Sequence, residues 1–234
     1  MSHPEQTKFI TDCLSIIKND FNKPDVLEVG SFNVNQLVNY RKFIGNCDYL
    51  GIDLIKGPGV DLVLKGENIN KLNKKFDIII SAECFEHAEN WKDIFRQMIE
   101  NIKENGYIVL TIASKGRLEH GTSRTINSDS PGTGDYYKNL TRRDFFKNFK
   151  IDILFEDSFF FYNIHSCDLY IILRKKRKNN NIELIKKLYS NLYRNFPRFN
   201  NLKRFIICSI IEDKNFQKVQ VSNKKIKEKN QLML

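Results

Sequence analysis

The chain has 234 residues, 41% of them apolar, enough to bury one full α/β core. Its first twenty residues are polar and interrupted by Pro4, and no stretch approaches the roughly 18 apolar residues of a membrane span, so a secretory leader and a membrane-spanning class are excluded and a cytoplasmic protein is expected. The net charge of +10 is unevenly spread: residues 174–234 hold 17 Lys and Arg against 4 acids, and residues 1–173 hold 21 against 24, so the body is not built to bind polyanions while the tail offers a contact for an anionic membrane or nucleic acid.

Residues 5–21 place Phe9, Ile10, Cys13, Leu14, Ile17 and Phe21 at helical spacing. A buried strand is predicted over 25–29, then a helix over 33–44 that stops near Gly45. Strands follow at 48–53 and 60–64. The continuous apolar run at 76–81 is that of a parallel strand covered on both faces. A helix spans 91–103, ended by Asn105-Gly106, and a fifth strand spans 107–112. Residues 113–140 are a long polar stretch, and a loop of that length in a compact domain is usually functional. Thr141-Arg-Arg-Asp144 is a capping box for a short helix to Phe149. Two β-rich runs, 151–161 and 166–174, read as a hairpin. RKKRKNNN is then a linker, 182–194 an amphipathic helix, 205–211 an apolar run of ambiguous type, and the last twenty residues disordered.

The stretch VLEVGSFNVN, residues 26–35, is a strand ending in Glu28 that opens at Gly30 into a turn. YLGIDL, residues 49–54, ends a second strand in Asp53, 23 residues after Gly30. A glycine turn that brings bare N–H groups to a ligand, followed by an acid at the next strand tip that takes ribose hydroxyls, is a nucleoside-binding half-fold. A dinucleotide site wants G-x-G-x-x-G. Here Phe32 and Asn35 hold the later glycine positions, Phe32 would crowd a pyrophosphate, and Glu28 would repel it. S-adenosylmethionine (SAM) has no phosphate and carries an ammonium and a sulfonium, which Glu28 attracts. Asn33 and Asn35 tolerate left-handed backbone and let the turn close.

At Glu28, Gly30, Phe32 and Val34, in the place of an E-x-G-x-G-x-G motif, the chain resembles the class I SAM-dependent methyltransferases of the methyltransferase-11-like group, over about residues 24–174. The resemblance implies a Rossmann-like three-layer α/β sandwich, its mostly parallel sheet ending in an antiparallel hairpin, over residues 1–175, with a basic C-terminal extension over 176–234. It implies SAM contacts from Glu28, the turn Gly30-Ser31-Phe32-Asn33, Asp53 and Ser81. The family's adenine-binding acid after its third strand is replaced here by Lys65-Gly66-Glu67; lysine cannot accept a hydrogen bond, so Glu67 or a backbone carbonyl takes that part.

For catalysis, the segment Ser81 to His87 lines the cleft in the family. Glu83 and His87 are expected on one face of a helix, and the alternative is a helix start in which the acids satisfy the dipole and His87 packs on Trp91. His120, in Gly116-Arg-Leu-Glu-His-Gly-Thr122 of the long loop, is the preferred base for an oxygen acceptor, with Glu119 and either Tyr136 or Tyr137 shaping the pocket. His3 and His165 are read as structural and Cys84 as buried without chemistry. The five cysteines, Cys13, Cys47, Cys84, Cys167 and Cys208, are scattered without C-x-x-C, which argues for reduced thiols and against a metal site. The expected acceptor is a small molecule or a sugar unit. A nucleic-acid methyltransferase anchored by the tail and a non-catalytic SAM-binding scaffold are the rival readings.

Overall fold

A computed structural model describes residues 3–36, 38–175 and 180–192, with side chains described to residue 189. In chain order the elements are α1 (Pro4–Ile17), β1 (Asp25–Val29), α2 (Tyr40–Ile44), β2 (Asp48–Asp53), β3 (Leu62–Val63), β4 (Phe76–Ala82), α3 (Trp91–Asn101), β5 (Ile102–Ala113), α4 (Arg142–Asn148), α5 (Ile151–Leu154), β6 (Asp157–Asn163), β7 (Asp168–Arg174) and α6 (Asn180–Leu192). Seven strands form one sheet in the order β3-β2-β1-β4-β5-β7-β6. The first five are parallel, and β7 lies antiparallel between β5 and β6. The expected three-layer α/β sandwich closing in an antiparallel hairpin is the architecture observed.

The sheet has two cores. Side chains alternate along each strand, so Leu27, Ile79, Ile108 and Leu110 face α3 and α4, while Val26, Ile78, Ile80 and Val109 face α1 and α6. The capping box at Thr141 forms as read: its N–H donates to Asp144 at 2.8 Å. The first helix is tied similarly, the Gln6 N–H donating to the His3 ring at 3.4 Å.

Four local expectations are corrected. The helix predicted over 33–44 is confined to Tyr40–Ile44. The Asn33 N–H donates to the Pro58 carbonyl at 2.8 Å and its side-chain amide donates to the Val38 carbonyl, so these donors serve a loop instead of a helix ladder. The left-handed residue there is Gln36, at φ 53°, not either asparagine. The helix from Trp91 stops at Asn101, and β5 begins at Ile102; Asn105-Gly106 lies in a register shift of that strand, not at a helix end. The strand expected over 151–161 starts only at Asp157, because Ile151–Leu154 makes a helical turn on the Lys150 carbonyl. A short apolar run does not by itself separate these two states.

Helix α6 was expected within the extension. Its Ile182, Ile185 and Tyr189 are buried in the α1-side core, the Tyr189 ring meets Phe9 edge-on at 5.1 Å, and its hydroxyl donates to Asp12 at 2.8 Å. The linker residues 176–179, the run at 205–211 and the last twenty residues lie outside the described residues.

Candidate functional site: two cavities at the carboxyl ends of the strands

The carboxyl ends of β1, β2 and β4 meet at a glycine that has no alternative. Gly30 takes φ +79°, and a Cβ placed on it would lie 2.6 Å from Cys84 Sγ. The N–H groups of Gly30 and Ser31 both donate to the Ile52 carbonyl, at 3.0 and 3.1 Å, which turns the chain sharply off β1. Beyond it the Phe32 ring lies against Gly57, where a Cβ would fall 2.0 Å from the ring.

Two cavities open on either side of this loop. One, of about 500 Å³, is lined by Asp53, Leu54, Glu67, Glu83, His87 and the 129–133 segment with Tyr136. The other, of about 670 Å³, is lined by Glu28, Ser31, Asn33, Tyr40 and Tyr49. Gly30, Phe32 and Ala82 line both. The part of the long loop that walls the first cavity, Asp129 to Thr133, was not foreseen residue by residue, although the length of the loop marked it as functional.

Each cavity holds one strand-end acid. Asp53 accepts from the N–H of Phe32 at 2.9 Å and from Leu54 at 2.6 Å, and burial raises its pKa against the pull of those donors. Glu28 accepts the Tyr49 hydroxyl at 2.6 Å. Burial pushes Glu28 up to about 7, while Tyr49 and the Arg41 guanidinium act the other way. Tyr49 was not anticipated; its place in the parallel register opposite Val26 carries no motif that would have marked it.

The catalytic candidates separate. Glu83 sits at φ 51° and its N–H donates to the Thr111 carbonyl at 2.8 Å; the turn after it, Phe85–His87, is a short 3₁₀ helix. Glu83 and His87 therefore do not share a helical face. The Glu83 carboxylate turns to Arg117, 4.0 Å away, which also lies 3.7 Å from Asp168, and His3 Nε2 reaches Asp168 at 2.8 Å. His87 turns instead to His120, ring centroids 4.9 Å apart, and to Tyr137 at 5.3 Å, not onto Trp91. Glu83 and His87 line the first cavity, whereas His120 lines neither. Burial drives His87 down to about 3 and His120 down to about 2, so both imidazoles are neutral. Ser81, on the strand face opposite to Ala82, is buried and lines neither cavity.

A family model described as a methyltransferase domain matches residues 5–127, more than half of the chain. The chain belongs to this methyltransferase family. By family and sheet order it belongs with the class I SAM-dependent methyltransferases, a family whose cofactor is SAM. The plantazolicin methyltransferase BpumL, solved with S-adenosylhomocysteine (SAH) and a pentazolic desmethyl analogue, shares this fold at a TM-score of 0.52 and 15% identity, over 75% of this chain and 87% of that one. The plantazolicin methyltransferase BamL, also solved with SAH, gives 0.54 and 16% over 74% and 85%. The ubiquinone biosynthesis O-methyltransferase of Rickettsia canadensis (strain McKiel) is 23% identical over 128 residues, 48% of this methyltransferase and 52% of that protein. The chain thus spans about half the length of the curated relative it matches. Among the described residues of the methyltransferase, no helix is long and apolar enough to cross a membrane.

Proposed function

We propose that the protein transfers a methyl group from SAM to a hydroxyl oxygen of a small molecule or a sugar unit. The observation that carries this is the pair of neighbouring cavities, each holding one strand-end acid and sharing Gly30, Phe32 and Ala82 in their walls. An elongated ligand spanning both would place its ribose at Asp53 and its adenine beside Glu67. Its amino-acid end would lie in the second cavity, with the ammonium at Glu28 and with Ser31 and Asn33 alongside. When bound, SAM supplies a methyl carbon on a sulfonium, open to in-line displacement. The chain's part is mainly alignment and exclusion of water, which is worth more than any single functional group here.

Glu83 is the residue we assign to the acceptor. It borders the first cavity beside Ala82, and burial together with the Asp168 charge raises its pKa above the usual carboxylate value. Glu83 would take the proton of the acceptor hydroxyl as its oxygen meets that methyl carbon. His120, the base preferred from sequence, lines neither cavity and has an imidazole too weakly basic for that part. The relative from Rickettsia canadensis, named as an O-methyltransferase, supports oxygen as the acceptor atom. The body's excess of acids over bases, 24 against 21 in residues 1–173, weighs against a nucleic-acid acceptor.

The test uses methyl-labelled SAM with a panel of phenols, sugars and nucleotide sugars. Turnover with a hydroxyl acceptor should fall by about 10²- to 10⁴-fold in Glu83→Gln while SAM affinity by calorimetry holds. Transfer to an amine or to RNA, or full activity in Glu83→Gln, would overturn the assignment.

A further inference from the structure

We propose that Glu86, His87 and His120 form a site for a divalent transition-metal ion of the zinc type. Each offers one ligand atom, and the three atoms lie within 4.8 Å of one another. Zinc holds nitrogen and oxygen ligands at about 2.0–2.2 Å, so a small inward movement of these side chains closes the set. Two imidazoles and one carboxylate suit zinc and its neighbours in the first transition row. They do not suit magnesium or calcium, which take oxygen.

The polar atoms of this cluster are otherwise unused. Glu86 is fully buried, and neither of its carboxylate oxygens has a hydrogen-bond partner among the described residues. The same holds for both ring nitrogens of His87 and for Nε2 of His120. Burial raises the pKa of Glu86, because an acid whose oxygens meet no side-chain donor among the described residues is costly to ionise, and each orphaned polar group adds to that cost. A dication answers all of these at once.

The tautomer of His120 points the same way. Its Nδ1 lies 3.2 Å from the Leu118 carbonyl, so the proton sits on Nδ1 and the lone pair of Nε2 faces the cluster. Metal-bound histidines are oriented by this kind of backbone contact. The Tyr137 hydroxyl donates to the same carbonyl at 3.1 Å, and its ring packs on both imidazoles, at 5.3 and 5.0 Å.

A second group, His3, Glu83 and Asp168, has similar spacing, but there the cation is already supplied. The Arg117 guanidinium lies 4.0 Å from Glu83 and 3.7 Å from Asp168, and His3 pairs with Asp168. Among the described residues no side chain hydrogen-bonds to the Glu86 oxygens. A metal there would fasten the long loop, through His120, to the turn after β4, through Glu86 and His87. This reading is independent of the methyl acceptor.

The experiment takes the full chain, treats it with chelator and titrates it with Zn2+, Co2+ and Mg2+. Expected are one equivalent of Zn2+ by calorimetry, a raised melting temperature, and a Co2+ absorption spectrum of nitrogen and oxygen ligation without a thiolate band. Mg2+ should do none of this. Glu86→Gln and His120→Gln should each lose more than the ~10- to 100-fold in affinity typical of an outer-shell change, with the fold checked by circular dichroism. If either variant fails to fold, the wild-type Co2+ spectrum decides. A thiolate band, no stoichiometric Zn2+, or Zn2+ affinity unchanged in the variants and lost in His3→Ala would each overturn the site.

Discussion

The carboxylate of Asp53 accepts the backbone N–H of Phe32 at 2.9 Å, which ties the tip of β2 to the loop that follows β1. If Asp53 takes the ribose as proposed, it has two tasks, since it also shapes the loop. Asp53→Ala should weaken SAM binding by about 1–3 kcal/mol, the scale of leaving a buried partner unpaired. Asp53→Asn keeps one oxygen for Phe32 and should lose less. Calorimetry with SAM, SAH and NAD checks both; tight NAD binding without SAM binding would sink the cofactor assignment.

Glu28 gives a pH signature. Burial raises its pKa from 4.5 to about 7, so the proton is held until near neutrality and the anion appears as pH rises through about 7. If that anion takes the SAM ammonium, SAM affinity climbs with pH through this range, and Glu28→Gln flattens the profile. The stability of the ligand-free protein runs the other way. A carboxyl with a raised folded pKa costs stability as pH rises from 4.5 through about 7, and Glu28→Gln should remove that slope in thermal melts.

Gly30→Ala should be severe for two separable reasons. The φ of +79° is strained for any side chain, and the new methyl would meet Cys84 Sγ at 2.6 Å. The backbone part is of order 1–3 kcal/mol. Adding Cys84→Gly removes both the Sγ and the Cβ that the methyl would meet, at 2.6 and 2.7 Å, but not the backbone strain, so denaturant melts of the double variant, compared with Cys84→Gly alone, should recover only part of the loss. Full recovery would show that the turn is not strained.

A chain ending at residue 178 should fold poorly. It uncovers the faces on which Ile182, Ile185 and Tyr189 are buried, each worth about 1.5–3 kcal/mol of burial. At roughly 2–4 °C per kcal/mol for a chain of this size, calorimetric melting should drop by about 9 °C or more, the lower bound of that product for three such residues. An unchanged melting temperature would mean that α6 is dispensable.

The sheet was legible in the sequence because its signals are local: apolar runs at 25–29, 76–81 and 107–112, and acids at the ends of two of the strands. Gly30 and Asp53 were legible for the same reason. The surroundings of Glu28 were not, because Tyr49 and Tyr40 reach it from different elements and only the fold brings them together. The pairing of Glu83 with His87 failed because it assumed a helix where Glu83 takes left-handed backbone, a conformation that nothing in Ser81-Ala-Glu83 announces. His120 drew notice as a lone loop imidazole. Its meeting with Glu86 and His87 joins residues more than thirty positions apart, which no local pattern encodes.

The placing of β7 between β5 and β6 has a consequence for how the protein is made. During synthesis the outer edge of β5, Tyr107 to Ala113, has no neighbour until residues 168–174 have left the ribosome, and the wholly buried strand is an open hydrogen-bonding template in the meantime. A fragment cut at residue 127, where the family match ends, would keep that edge permanently bare. Such a fragment should polymerise through strand addition in place of binding ligand. The polar stretch from Ser114 to Asn139 sets the length of the wait, so shortening it would hasten closure of the sheet at the expense of the wall it contributes to the first cavity.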